Sequence, residues 1–339
     1  MTIASRTRMA LCLLLLAASA TSLHLSWDAE LSENAAPPAA HAFPDGAGGA
    51  RSPTSTAPRF SWPPLAQVRT LTYGQTGEDS ELPRPPGASF KRTPLSQDIY
   101  EVQLKFRNFN NDPLKVEFSL VQADLDASLK EFGYSKGELD GIFQRYGKQG
   151  QAAYEEQVKL YFLSRGFKVV GKDTVSVDIP QLIWRNMKRV NGLALALQRV
   201  GEARRYDSED IIGAAAAMVQ TSLAYRIPPE SERGRRIGGV HPPPQALYDG
   251  WGDCDSKSAL LGAVLSNWKG IKGVGVALPR HFLIGLARMP RQGDVFLEHK
   301  GVQYVLVEPA GPAWLPVGLV SDYTTGLLDK MSGVPIQPF

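Results

Sequence analysis

The sequence predicts an α+β protein from three observations. A hairpin of period-two alternation opens its ordered part, helical patterns stopped by glycines come next, and near the end a helix gives way to β-rich runs that would pair as a sheet packed on it. The 339 residues are 43% hydrophobic and 21% charged, an ordinary globular balance with apolar side chains enough for one large or two modest cores.

The chain starts in the order of a secretory signal. Arg6 and Arg8 precede the apolar run Met9 to Ala18, and Ala18-Ser19-Ala20 supplies the small residues of a cleavage site. Residues 1–20 are expected to be removed, leaving the remainder periplasmic or secreted. The alternative is membrane anchoring through residues 9–25, where Thr21 and Ser22 make a poor span. Without Arg6 and Arg8 the formal charge falls from +3 to +1, too small an excess of cations to hold a polyanion, so nucleic acid is excluded as a partner.

Residues 21–97 are rich in Pro, Ala, Gly and Ser, as in Pro83-Arg84-Pro85-Pro86-Gly87, and bury too little apolar surface to offset chain entropy. They read as a flexible linker, with a short strand around Val68 to Tyr73 docking on the folded part of the chain. Order is expected from residue 98. There Ile99 to Phe106 and Leu114 to Phe118 alternate on either side of Asn110-Asn111-Asp112-Pro113, the pattern of a hairpin with one solvated face. Helical patterns succeed it at Ala123 to Glu131, Ser135 to Tyr146 and Ala152 to Ser164. Phe167 to Val177 returns to strand character, and Pro180 suits the first turn of a helix running to Val200. Residues 98–204 thus read as an accessory α/β region.

A second block, 205–325, begins where Asp207 or Ser208 can cap a helix from Glu209 to Ala224. A loop from Pro228 to Gly250 carries Pro242-Pro243-Pro244 and the basic run Arg233, Arg235 and Arg236, read as solvated. Residues 326–339 are expected to be a tail.

The chemistry concentrates after that loop. Gly250-Trp251-Gly252-Asp253-Cys254 runs into the apolar helical stretch from Ala259, which places the thiol in a first helical turn. Unpaired N–H groups there stabilise a thiolate and can serve a tetrahedral oxyanion. Asp253 and Asp255 oppose this by raising the thiol's pKa, so a cationic partner is needed. Cys254 is also the sole cysteine besides Cys12 of the signal, which excludes an internal disulfide in the processed chain. Histidine candidates are His24, His41, His241, His281 and His299. His281 heads a β-rich run 27 residues after Cys254 and is the better base, whereas His299 sits in a hairpin turn. Gln303 to Val307 is a strand delivering Glu308, an acid placed to orient the imidazole.

These segments resemble the bacterial and archaeal transglutaminase-like family of the papain-fold superfamily. The resemblance rests on Met218-Val219-Gln220-Thr221-Ser222-Leu223-Ala224-Tyr225, the Pro-rich approach to Gly252-Asp253-Cys254, His281 on the next strand, and Glu308 with Trp314 and Gly318 beyond it. It spans about a third of the chain, from Glu209 to Gly318. It implies a papain-like core with a Cys254, His281 and Glu308 triad, with Gln220 and Trp251 as weaker oxyanion or substrate contacts. Ser256 stands where the family commonly has a second acid, which leaves any metal role of that position unsupported. Asp253 and Asp255 offer too few oxygens for calcium, so neither metal nor cofactor is expected.

The implied activity is acyl transfer through a cysteine thioester on protein or peptide amides of the cell envelope. Hydrolysis, as a peptidase or amidase, is expected because water is always present. The alternatives are a cross-linking transamidase and a catalytically silent envelope binding module.

Overall fold

The structure, a computed structural model, describes residues 41–42, 67–70, 87–171, 174–311 and 314–339, the first two stretches by backbone alone. The expected signal, 1–20, and most of the expected linker lie outside the described residues. The architecture is mixed α+β with antiparallel sheets.

The expected hairpin forms from Ile99–Arg107 and Pro113–Val121, with Leu104 opposite Val116 and Val102 opposite Phe118. Asn111 takes the left-handed conformation at its turn, φ 66°, a region that Asn tolerates better than most residues. Val102, Leu104, Phe106, Val116 and Leu120 are buried while Lys105, Lys115 and Glu117 face solvent. Ser89–Pro94 adds a third strand, so the fold reaches back into the stretch read as linker. Its Lys91-Arg92-Thr93 centre is polar, and backbone pairing together with the Phe90 ring packed on the core incorporates it.

Helices Gln122–Glu131, Lys136–Tyr146 and Gln151–Ser164 come next, the second capped by the Ser135 side chain. The strand-like stretch after them is a hairpin of Phe167–Gly171 and Thr174–Val177. The single helix expected from Pro180 is two, Ile179–Asn186 and Asn191–Arg204. Between them the Asn186 carbonyl accepts from both Arg189 and Val190, a turn that no glycine or proline announces.

Helix Ser208–Ser222 starts with a reciprocal capping box between Asp207 and Asp210. The loop expected over 228–250 contains a helix, Pro243–Asp249, with Pro243 and Pro244 in its first turn where no donor is lost. Arg235 of the basic run is paired with Glu138 at 3.0 Å instead of being free in solvent.

Helix Cys254–Leu265 lies at the centre, packed on helices 179–186, 208–222 and 243–249 and on strand His281–Ala287. Its Leu260, Leu261, Val264 and Leu265 are fully buried, each contributing about 1.5–3 kcal/mol of transfer free energy. One apolar cluster runs from Val102 to Val307, so the core is continuous across residues 204 and 205.

Beneath that helix is a six-stranded antiparallel sheet in the order Ile336–Pro338, Gly273–Leu278, His281–Ala287, Val302–Val307, Val295–His299 and Gln67–Thr70. The strand expected near Val68 thus docks on its outer edge. The expected tail is corrected: Asp322–Leu328 is a helix and Ile336–Pro338 an edge strand, held because Leu328, Val334 and Ile336 are buried. Among the described residues no helix is long and apolar enough to cross a membrane.

Candidate active site

Gly250 ends helix 243–249 in the left-handed conformation, φ 73°, and a Cβ there would lie 2.5 Å from the Phe90 ring. Only glycine serves both the turn and the contact. Trp251–Gly252 then pairs in parallel with Ala224–Tyr225. At Gly252 a Cβ would come within 2.8 Å of the Ser256 side chain, so the chain can fold tightly into the next helix. Asp253 caps that helix by accepting the Ser256 N–H at 2.9 Å, and Ser256 Oγ accepts the His241 N–H at 2.8 Å.

Cys254 is therefore the first residue of its helix and is 5% exposed. Burial pushes its thiol well above the ordinary value, Asp255 and Asp253 push it further, and the N–H groups of Phe282 and Asp255 pull the other way without prevailing. The resting thiol is neutral. Asp255, half-buried beside it, is raised to about 7 by burial and by Asp253, with His281 opposing.

The Phe282 amide that reaches the sulfur is next in the chain to His281, the first residue of its strand. Ser258, one turn along the cysteine helix, donates to the Phe282 carbonyl at 2.9 Å and fixes helix against strand. His281 Nε2 lies 2.8 Å from Glu308 Oε1. The two atoms are within ion-pair distance at an angle short of an aligned hydrogen bond. With Nε2 turned to the acid, Nδ1 is the ring nitrogen left for another partner.

Glu308 is 2% exposed and leaves the end of strand 302–307. Its Oε2 accepts the Thr324 hydroxyl at 2.6 Å and lies 3.5 Å from Ser321 Oγ. Tyr323, between those two residues, sets its ring edgewise on His281 at 5.9 Å.

Gln220 is not a substrate or oxyanion contact. Its Nε2 donates to the carbonyls of Glu308 at 2.6 Å and Leu315 at 3.0 Å, and its Oε1 accepts the Leu315 N–H at 2.9 Å. At 1% exposure the amide is spent on holding the turn after Glu308. Buried Lys257 supports the same region by donating to the Leu223 carbonyl at 2.9 Å, where helix 208–222 leaves acceptors unpaired. Trp251 lies between the His241 ring, 4.5 Å away, and the Arg226 guanidinium, 4.7 Å from its centroid.

Tyr225 was outside the predicted site. Its backbone pairs with Gly252 and its half-exposed phenol is pushed up to about 12, by burial first and then by Cys254, Asp253, Asp255 and Glu308. It stays protonated beside the thiol. The aromatic after the helix was visible in sequence; its pairing with the cysteine turn was not. His299 ends strand 295–299 opposite Val302, and is not paired with Glu308. Asp253, Cys254 and Asp255 bring ligand atoms within 4.8 Å of one another, but two carboxylates and a thiol fall short of the six or more oxygens of a calcium shell.

The arrangement sets a neutral thiol against the backbone amide of Phe282, next in the chain to an imidazole that meets a buried acid. The chain matches no family model, no curated protein and no solved structure.

Proposed function

We propose that the chain is an exported thiol enzyme of the transglutaminase-like kind, with a papain-like core, hydrolysing protein or peptide amides through a Cys254 thioester. The observation that carries this reading is the 2.8 Å contact of His281 with Glu308 directly beside the backbone amide that meets the Cys254 sulfur.

Because the thiol rests neutral, His281 Nδ1 takes its proton as Sγ attacks the amide carbonyl. The imidazolium formed is stabilised by Glu308. The tetrahedral oxygen is met by N–H groups at the helix start and by the Tyr225 hydroxyl, which has a proton to donate. Collapse breaks the C–N bond and His281 returns the proton to the leaving amine. Water, deprotonated by His281, then releases the acid and restores the thiol.

Acylation by p-nitrophenyl acetate tests this, since it needs the thiol and an oxyanion site but no knowledge of the natural substrate. A burst of p-nitrophenolate and a mass increase located on Cys254 are expected, with both lost in Cys254→Ala. Equal release by the two proteins would replace the enzyme with a binding module.

A further inference from the structure

A buried carboxylate is useful to an imidazole only if its rotation is fixed. Glu308 has its backbone pinned, since the Gln220 amide donates to its carbonyl at 2.6 Å. That contact leaves the side-chain torsions undetermined. The His281 contact is short of an aligned hydrogen bond and does not set them.

Two hydroxyls remain: Ser321 Oγ at 3.5 Å from Glu308 Oε2, and the much shorter contact of Thr324, itself fully buried, whose Oγ1 is 2.6 Å from the same oxygen. A carboxylate can only accept, so Thr324 donates its one proton to it. The Ser321 hydroxyl, 3.0 Å from Thr324 Oγ1 and 3.5 Å from Glu308 Oε2, has its one proton to share between those two acceptors. Ser321 Oγ also accepts the Thr324 N–H at 3.3 Å, which closes the turn on itself. The result is a pair of hydroxyls gathered on Glu308 Oε2, with Thr324 the close donor and Ser321 supporting it. Tyr323 in the same turn rests on His281, so one short segment touches both the acid and the base.

We propose that Thr324 is a positioning member of the site, its hydroxyl holding the Glu308 carboxylate so that Oε1 faces His281. The helix Asp322–Leu328 is then part of the catalytic apparatus, anchored from below by Leu328 in the apolar cluster with Leu278, Leu283 and Val334. This role rests on the chain being a thiol enzyme.

The test measures the acylation rate of the full chain by p-nitrophenyl acetate in Thr324→Val, Thr324→Ser and Glu308→Gln, with melting temperatures in parallel. Thr324→Val keeps shape and removes the donor; it is expected to slow acylation about tenfold, the factor equal to 1.4 kcal/mol. Thr324→Ser should restore most of the rate. Combined with Glu308→Gln, Thr324→Val should cost less than about threefold, because its effect passes through that carboxylate. An unchanged rate in Thr324→Val, a loss shared by Thr324→Ser, or full additivity with Glu308→Gln would each overturn the proposal while leaving the enzyme reading standing. Wild-type protein that is not acylated on Cys254 overturns both.

Discussion

Two histidines, His241 buried and His281 partly buried, lie near the start of the cysteine helix, and their acid partners differ. His241 has an acid on each ring nitrogen, Glu232 at 3.2 Å from Nε2 and Asp249 at 3.3 Å from Nδ1, with Trp251 against its face. His281 has one acid, Glu308 on Nε2, and its other nitrogen meets no carboxylate among the described ion pairs. A symmetric clamp immobilises an imidazole and a one-sided one leaves it able to exchange a proton. The first arrangement is structural and the second suits catalysis, although both are histidine–carboxylate contacts of similar length.

The sharpest way to break this contrast is to remove each ring. His281→Ala should slow acylation of Cys254 by about 10²–10⁴ with little loss of folding stability, while His299→Ala in the same assay should leave the rate unchanged. A silent His281→Ala would move the base elsewhere.

His241→Ala should do the reverse. It leaves Glu232 and Asp249 facing each other across a buried gap, and Asp249 is already raised by burial, with Gln245 and His241 opposing. Unfolding in urea is expected to show a loss of about 1–3 kcal/mol, with acylation per folded molecule reduced far less than in His281→Ala. A rate loss as large as that of His281→Ala, at unchanged stability, would erase the distinction.

A smaller effect concerns the acid beside the thiol. Asp255, raised to about 7, is neutral below that pH and ionised above it, where its charge opposes thiolate formation. Asp255→Asn should therefore alkylate with iodoacetamide several-fold faster than wild type at about pH 8 and at the same rate below about pH 6. Stability has the same sign. A carboxyl raised from 3.8 to about 7 on folding loses its stabilising contribution as pH climbs through that window, so Asp255→Asn should gain on wild type between them and keep the gain above about 7. Parallel profiles would show that Asp255 does not act on the thiol.

What could be read in advance was local. Asn111 in the hairpin turn and Asp207 before its helix both act within three or four residues, and their chemistry is visible in the residue types. His281 and Glu308 were legible because each sits at one end of a β-rich run. Gln220 was misread because its partners are 88 and 95 residues away, so no pattern around it shows that its amide is consumed. Thr324 escaped for the same reason: a threonine in a short helix carries no sign that its hydroxyl reaches back 16 residues to an acid. The helix at Pro243–Asp249 was hidden by prolines that also mark loops, and Ser89–Pro94 by the polarity of an edge strand.

The edge strand Ile336–Pro338 has a consequence for the order of events during synthesis. A ribosome that has released residues up to Pro309 has delivered the cysteine, the histidine and the acid. The sheet then still lacks the strand beside Gly273–Leu278, and the turn at Ser321–Thr324 has not been made. Phe339, whose ring lies against Gly262 and Gly273, comes later still. The contacts that hold Glu308 are thus completed only after Cys254, His281 and Glu308 have all been made.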